Sequence, residues 1–214
     1  HLSLRRQRQM CIRDRLESVP QAVSYLKQHK GYEDLFEGYN EADLHRGQIE
    51  KMLRLTVYRD FSKLYRFANV EQRKFLALYF KRYEVSVIKE CLNTVFDHRD
   101  VVLNLSIFDE FFNKHSQLDI NLLASSRTIE ELIANLKGTE YYAPLSQLAD
   151  IERPTLFDYE MTLDLYYFAQ MWKDRSKVVT KRDLEELTAA WGSKFDMLNL
   201  QSVSYTHLTL PTKA

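Results

Sequence analysis

The sequence predicts an all-α protein. Glycine and proline are scarce, at 5 and 4 of 214 residues, and no segment sustains the alternation of apolar and polar residues that marks a half-buried strand. Helix starts are also well marked, because a hydroxyl residue is followed three positions later by an acid or an amide. Three such starts are Ser18 with Gln21, Thr128 with Glu131, and Thr180 with Asp183.

Predicted helices follow one another along the chain. The longest begins at Asn69 and runs to about Phe96, because its apolar residues recur at i, i+3 and i+4 spacing. These residues are Leu76, Tyr79, Phe80, Tyr83, Val87, Ile88, Cys91, Leu92 and Val95. The other predicted helices are Glu41 to Phe67, Ile107 to Lys114, Ile129 to Leu136 and Phe157 to Lys173.

Two parts of the chain repeat the same pattern 110 positions apart. The matches at this offset are Ser18 with Thr128, Val19 with Ile129, Leu26 with Leu136, Lys27 with Lys137, Tyr32 with Tyr142, and Leu35 with Leu145. Further matches follow in the same order: residues 64–67 with 165–168, and Tyr83, Glu84 and Ile88 with Phe195, Asp196 and Leu200. Repetition is typical of a scaffold built from similar units. We therefore predict a first helical lobe at 16–125 and a second, truncated lobe at 126–201.

The two ends of the chain have an unusual origin in this interpretation. Residues 5–15 and 203–212 can be translated from one DNA string and its reverse complement, and that string resembles a transposase-based sequencing-library adapter. We therefore expect residues 1–15 and 202–214 to be adapter-derived tails and not native protein, and 16–201 to be a fragment.

Without these tails the composition changes. Residues 16–201 hold 24 Lys and Arg against 29 Asp and Glu, a net charge of −5. The basic run at the N-terminus, which would favour a nucleic-acid partner, is lost, so no nucleic-acid binding is expected. Cys91 then stands alone and cannot form an internal disulfide. No apolar run has the length of a membrane span.

No pattern of catalytic or ligand-binding residues stands out, so we expect no catalytic, cofactor or metal site. A glycine-rich phosphate loop is missing. Glu41 and His45 stand four residues apart but lack further ligands, and a solvated helix face is the better interpretation. The run from Asp97 to Asp100 fits a polar turn better than a general base. Cys91 lies on an apolar stripe, as a small buried side chain does.

Aromatic residues are frequent, and most are expected to pack between helices. The alternative is an exposed patch that docks a partner. Tyr141–Tyr142 and Tyr166–Tyr167 are its best candidates, because adjacent residues on a helix cannot face the same side.

Three segments of the sequence resemble a known protein family: residues 75–96, 163–172 and 192–201. They read FLALYFKRYEVSVIKECLNTVF, LDLYYFAQMW and GSKFDMLNLQ, and they resemble the family of rotary V/A-type ATPase components known as the C-subunit or, in eukaryotes, the d-subunit. The family repeats an aromatic residue, an acid and then Asn-Leu on a long helix. Phe195, Asp196, Asn199 and Leu200 match this signature, as do Tyr83, Glu84 and Ile88, although Val87 replaces the expected Asn.

The resemblance implies a non-catalytic rotor part without a cofactor. Family members are funnels of three pseudo-symmetric helical lobes, of which this chain would hold about two. They lie at the cytoplasmic face of the membrane without spanning it, between the membrane ring of ion-carrying subunits and the central stalk of the ATPase head. The signature positions would then be structural or interface residues.

Two alternatives differ in kind. A generic helical scaffold for protein–protein interaction would show a repeat of 20–50 residues, against the spacing of 110 found here. A helical enzyme with a carboxylate-bound metal would carry paired Glu-x-x-His motifs, and the sequence has none.

Overall fold

The computed structural model describes residues 18–97 and 105–209, with side chains for all of these except 149–150 and 201–209. The α-helices of this part are α1 Val19–Lys27, α2 Arg46–Phe67, α3 Val70–Phe96, α4 Asp109–His115, α5 Ile120–Ser125, α6 Ile129–Asn135, α7 Tyr142–Ser146, α8 Leu156–Val178 and α9 Lys181–Thr209. Short 3-10 helices are Glu33–Phe36, Glu41–Asp43, Ser106–Phe108 and Gln147–Asp150. No strand occurs in the described ranges, and the all-α prediction is confirmed.

The predicted helix starts at the two repeat copies are confirmed. Ser18 accepts a hydrogen bond from the Gln21 amide at 3.4 Å and begins α1. Thr128 accepts one from the Glu131 amide at 3.1 Å and begins α6. Each hydroxyl satisfies a backbone donor that the first helical turn leaves without an intrahelical partner.

Helix α3 has the predicted bounds. Asn69 caps α3 reciprocally: its side chain accepts from the Gln72 amide, and the Gln72 side chain accepts from the Asn69 amide, both at 2.9 Å. The helix ends at Phe96, as the periodicity predicts. Helix α8 continues to Val178, five residues past the predicted end at Lys173.

The predicted helix from Glu41 to Phe67 is wrong at its start. Glu41–Asp43 forms a separate 3-10 helix, and α2 begins only at Arg46. Between them Leu44 has an extended backbone, and its side chain is 5% exposed. Burying Leu44 in this conformation interrupts the helix, so Glu41 and His45 do not share a helix face.

The chain divides into two compact units, residues 1–64 and 65–214, with the boundary inside α2. In the first unit α1 packs against the 3-10 helices that follow it. Apolar side chains of α1, of the 3-10 helix Glu33–Phe36, of the linking residue Leu44 and of α2 form one core: Val23, Leu35, Phe36, Leu44, Ile49 and Met52.

The second unit is built on α3. This helix packs along α8 and also contacts α5 and α6, while α9 packs against α8. Contacts on more than one side explain why α3 buries residues outside the predicted stripe, among them Leu78 and Val85. A helix buried on several faces is the core element of its unit.

The repeat copies have the same local order of elements. Helix α1 is followed by a turn at Gly31, with a φ of 104°, and then by the 3-10 helix Glu33–Phe36. Helix α6 is followed by a turn at Gly138, with a φ of 88°, and then by α7. Positive φ values suit glycine, because it lacks a Cβ. The predicted boundary at 125/126 lies inside the second unit, and the division into lobes stays a prediction.

The predicted tails lie mostly outside the described residues. Residues 1–17 and 210–214 are not described. Helix α9 crosses the predicted boundary after residue 201 and runs to Thr209 as one helix. The origin of the tails stays a prediction.

Candidate functional site

Glu84 is the most unusual signature residue, because it is a buried acid in the middle of α3. Its side chain is 8% exposed, and its neighbour on the next helical turn, Ile88, is fully buried. Tyr83, which precedes it, is half-buried. Since acidic side chains are rarely buried without partners, the surroundings of Glu84 show what this position does.

Two hydroxyl groups from distant parts of the sequence donate hydrogen bonds to Glu84. Tyr141, which precedes α7 and is 1% exposed, donates to one carboxylate oxygen at 2.6 Å. Ser116, which follows α4, donates to the other. The carboxylate thus ties the segments after α4 and before α7 to the central helix of the unit.

The electrostatics of this group follow from its burial. Burial raises the pKa of the Glu84 carboxyl, while the hydrogen bonds from Ser116 and Tyr141 act in the opposite direction. The pKa of the Tyr141 hydroxyl is also raised, first by burial and then by the neighbouring Glu84 charge. The raised pKa of Tyr141 keeps its hydroxyl protonated, so the hydroxyl can donate its hydrogen bond to Glu84.

A second carboxylate continues this cluster towards the surface. Glu140 pairs with Lys81 of α3 and accepts a hydrogen bond from the Tyr166 hydroxyl of α8 at 2.7 Å. The rings of Tyr141 and Tyr166 meet edge to face, with centroids 5.8 Å apart. Lys81, Glu84, Glu140, Tyr141 and Tyr166 therefore connect α3, α8 and the start of α7.

A cleft of about 830 Å³ lies beside this cluster. Its wall includes Glu84, Tyr141, Lys81 and Glu140, and also Asp174 and Lys177. The charged groups here are paired: Lys81 with Glu140, and Lys177 with Asp174 at 2.7 Å. Glu84 and Glu140 are occupied in holding different segments together, which favours a structural role for the cluster.

The tyrosine pairs considered as an exposed patch do not form one. Tyr141 is 1% exposed and Tyr167 is 5% exposed, and their neighbours Tyr142 and Tyr166 are half-buried. Each pair therefore has one ring in the core and one ring that is partly exposed. The interpretation as helix packing is correct for these residues.

Cys91 is a buried apolar side chain, as predicted. It is 2% exposed, and burial raises the pKa of its thiol to about 12. A thiol in this state is not a nucleophile at neutral pH.

The other residues weighed as ligands are in structural contacts. Glu41 accepts a hydrogen bond from the Ser24 hydroxyl and pairs with Lys27 at 3.3 Å. Asp97 caps the end of α3, and residues 98–100 lie outside the described residues. Within 18–97 and 105–209, no group of three or more His, Cys, Asp or Glu could hold a metal ion.

The second set of signature residues lies on α9. The Phe195 ring packs on Phe168, at 4.6 Å between centroids, and on Trp172 at 6.2 Å. Asp196 and Asn199 are exposed, and Leu200 is 71% exposed. Phe195 therefore anchors α9 to α8, while the polar part of the signature faces away from that contact.

A groove lies between α3 and α9, with α8 as its floor; we call it the α3–α9 groove. It has a volume of about 270 Å³, and its lining includes Arg82, Val85, Lys89, Phe168, Lys194 and Leu198. Glu84 and Phe195, the two signature centres, thus lie on helices that also form this groove.

The sequence profile of the ATP synthase (C/AC39) subunit family matches residues 12–204. This is most of the chain. The protein belongs to the ATP synthase (C/AC39) subunit family. The resemblance found in the sequence is thereby confirmed at the level of the family, and the C/AC39 match includes both Glu84 and Phe195.

A curated relative of this C/AC39 chain is the C-subunit of the A-type ATP synthase of Methanocaldococcus jannaschii. The two are 25% identical over 175 residues, which are 75% of this chain and 44% of the relative. The chain therefore spans less than half of that relative's length. No solved structure matches the chain. Within the described part of the C/AC39 chain, no helix is long and apolar enough to cross a membrane.

Proposed function

We propose that this C/AC39 chain is a non-catalytic adaptor of the central rotor in a V/A-type ATPase. It connects the central stalk of the ATPase head to the membrane ring of ion-carrying subunits, at the cytoplasmic face. The family match over residues 12–204 carries the proposal. The name of the archaeal relative, a component of an A-type ATP synthase, supports it.

The helical framework suits a part that transmits torque. Helix α3 has 27 residues, which corresponds to a rod about 40 Å long at 1.5 Å per residue. It is packed along α8 and is further held by the hydrogen bonds of Glu84. A long helix braced on several sides resists bending better than a single exposed helix, because bending would disturb close-packed side chains.

The signature residues divide between two roles in this proposal. Tyr83, Glu84, Ile88 and Phe195 hold the helices together. The exposed positions Asp196, Asn199 and Leu200 contact a neighbouring protein of the complex.

Coupling between ATP hydrolysis and ion transport tests the proposal. The complete ATPase is assembled from its own subunits, with or without this protein, and placed in lipid vesicles. Without the adaptor, the head should still hydrolyse ATP, but ATP-driven ion uptake should be lost, because the head and the ring no longer turn together. Adding the protein back should restore uptake.

Two results would contradict this proposal. One is unchanged ion uptake in vesicles that lack the protein. The other is ATP hydrolysis by the purified protein alone, abolished by substitutions within it. A generic scaffold outside the ATPase would bind neither the stalk nor the ring.

A further inference from the structure

The α3–α9 groove has an apolar floor that extends along α8. Phe168 of α8 belongs to this floor, while Val85 of α3 and Leu198 of α9 add apolar side chains from the two sides. On α3 the lining runs from Arg82 to Lys89, which is about two helical turns. The groove is therefore elongated along the helix axis.

The walls of the groove are basic. Arg82 and Lys89 lie on the α3 side and Lys194 on the α9 side, with Asp164 as the acid in the lining. Asp164 is already paired with Lys89 at 2.7 Å. Among the described side chains, no carboxylate lies within ion-pair distance of Arg82, which donates to the Tyr79 hydroxyl at 3.0 Å, or of Lys194. One exposed cation therefore remains on each wall.

We infer that the α3–α9 groove binds an acidic amphipathic helix of another protein of the same ATPase. The inference rests on the proposed function, which places this chain among such proteins. It adds the chemistry of the partner and the place where the partner binds.

The shape and charge of the groove favour a helix over other ligands. Apolar side chains at i, i+3 and i+4 on one helix face would meet the apolar side chains of the groove, and the helix would lie along its two turns of α3. Asp or Glu side chains flanking that face would meet Arg82 on one wall and Lys194 on the other. Such paired charges on the two sides fix the register of a helix and speed its association.

Photocrosslinking locates the partner. Ser86 is exposed and lines the groove, so it is replaced by the photoreactive residue p-benzoylphenylalanine in the full protein. The protein is then assembled with the remaining subunits of its ATPase, purified together in detergent. The crosslinked segment, identified by mass spectrometry, should be an amphipathic sequence with a net negative charge.

Charge reversal tests whether the basic walls of the groove contribute to binding the acidic helix. In the double variant Arg82→Glu and Lys194→Glu, affinity for the remaining subunits should fall about tenfold or more, which corresponds to about 1.4 kcal/mol. The matched control is Lys181→Glu with Arg182→Glu, which makes the same change of charge at exposed positions on the first turn of α9. The control should change affinity by less than about twofold. Circular dichroism verifies that both variants are folded.

The outcomes separate the two proposals. If the wild-type protein fails to join the assembly, the proposed function is overturned, and this inference falls with it. If the wild-type protein joins but the Arg82 and Lys194 variant binds equally well, the inference alone is overturned. A crosslink to lipid or to a segment without acidic residues would overturn it as well.

Discussion

Glu41 in the first unit and Glu84 in the second are two carboxylates with similar hydrogen-bond partners, but their pKa values are shifted in opposite directions. Each accepts a hydrogen bond from a serine hydroxyl, Ser24 or Ser116. The hydrogen bond from Ser24 and the neighbouring Lys27 lower the pKa of Glu41, while burial raises the pKa of Glu84. The two carboxylates differ in their exposure to solvent: the Glu41 side chain is one-third exposed, whereas Glu84 is 8% exposed.

This contrast shows that hydrogen-bond partners alone do not set the role of an acid. At Glu41 water solvates the charge, and the ion pair with Lys27 adds little to stability, as surface pairs generally do. At Glu84 the charge is withdrawn from water, and its two hydroxyl partners become essential because nothing else can replace them. The second unit therefore depends on its carboxylate far more than the first unit does.

The strongest test of this contrast is to remove each carboxylate. Glu84→Ala leaves the hydroxyls of Ser116 and Tyr141 without their acceptor in a buried site, and should lower the free energy of unfolding by about 3 kcal/mol. Glu41→Ala should have a much smaller effect, because water can take the place of the carboxylate. Both tryptophans of the chain, Trp172 and Trp191, lie in the second unit. Their fluorescence in urea titrations reports the Glu84 variant, and circular dichroism reports both.

Glu84→Gln is the control for the first test. It retains an oxygen acceptor in the same volume, so it should cost less than Glu84→Ala. Equal losses for the Glu41 and Glu84 alanine variants would show that burial does not decide the role of these acids.

The sequence predicts the helices of the second unit better than it predicts the surroundings of Glu84. The apolar period of α3 and the side chain of Asn69 are local features, and they define a helix that the structure reproduces at both ends. The burial of Glu84 depends on Ser116 and Tyr141, which are 32 and 57 residues away in the chain. No periodicity within α3 contains that information.

The repeat explains why the sequence does not single out Glu84 as buried. Glu84 aligns with Asp196, and the two acids look equivalent in sequence. In the structure Asp196 is exposed on α9, while Glu84 lies in the core. The start of α2 escapes prediction for a similar reason, since the burial of Leu44 in an extended conformation depends on the core around it.

Removing one hydrogen-bond donor of Glu84 should lower the free energy of unfolding by less than Glu84→Ala does. Tyr141→Phe keeps the buried ring but leaves the carboxylate with Ser116 as its hydroxyl donor, and should cost about 2 kcal/mol, as hydrogen bonds to charged groups do. Tyr166→Phe is the matched control, because its hydroxyl donates to the more exposed Glu140. It should cost less than Tyr141→Phe in the same fluorescence titration.

A double-mutant cycle sharpens this result. If Tyr141 acts through Glu84, the loss from Tyr141→Phe should shrink in the Glu84→Ala background. Losses that simply add would mean that the tyrosine hydroxyl acts independently of the carboxylate.

Removing the helix caps of the two repeat copies should lower the free energy of unfolding by a still smaller amount. Thr128→Ala and Ser18→Ala each remove the acceptor of one backbone amide, which costs about 1 kcal/mol in typical helices. The bond at Thr128 is shorter, 3.1 Å against 3.4 Å at Ser18, so the Thr128 variant should lose more. Fluorescence reports Thr128→Ala in the second unit, and circular dichroism reports Ser18→Ala in the first. A larger loss at Ser18 would contradict the ranking by geometry.

The smallest effect is expected in the pH dependence of stability, because the causes that act on Glu84 partly cancel. Its folded-state pKa is raised above the ordinary glutamate value of 4.5, so the folded state binds the proton more tightly. The stability contribution of Glu84 is therefore largest below pH 4.5 and declines as the pH rises through the folded pKa. Lys81 and Glu140 also face this group and act on its pKa in opposite directions.

Glu41 should behave in the opposite way. Its folded-state pKa is lowered below 4.5, so its contribution is present above pH 4.5 and is lost as the pH falls through the folded pKa. Urea titrations at a series of pH values compare the wild type with Glu84→Gln and Glu41→Gln. Subtracting each variant curve from the wild type isolates one carboxyl, because His115, whose own pKa is lowered by burial, is present in both proteins. The Glu84 difference should decline with rising pH and the Glu41 difference should grow. Two slopes of the same sign would show that burial does not separate these carboxylates, and the contrast between the two units would then lose its basis.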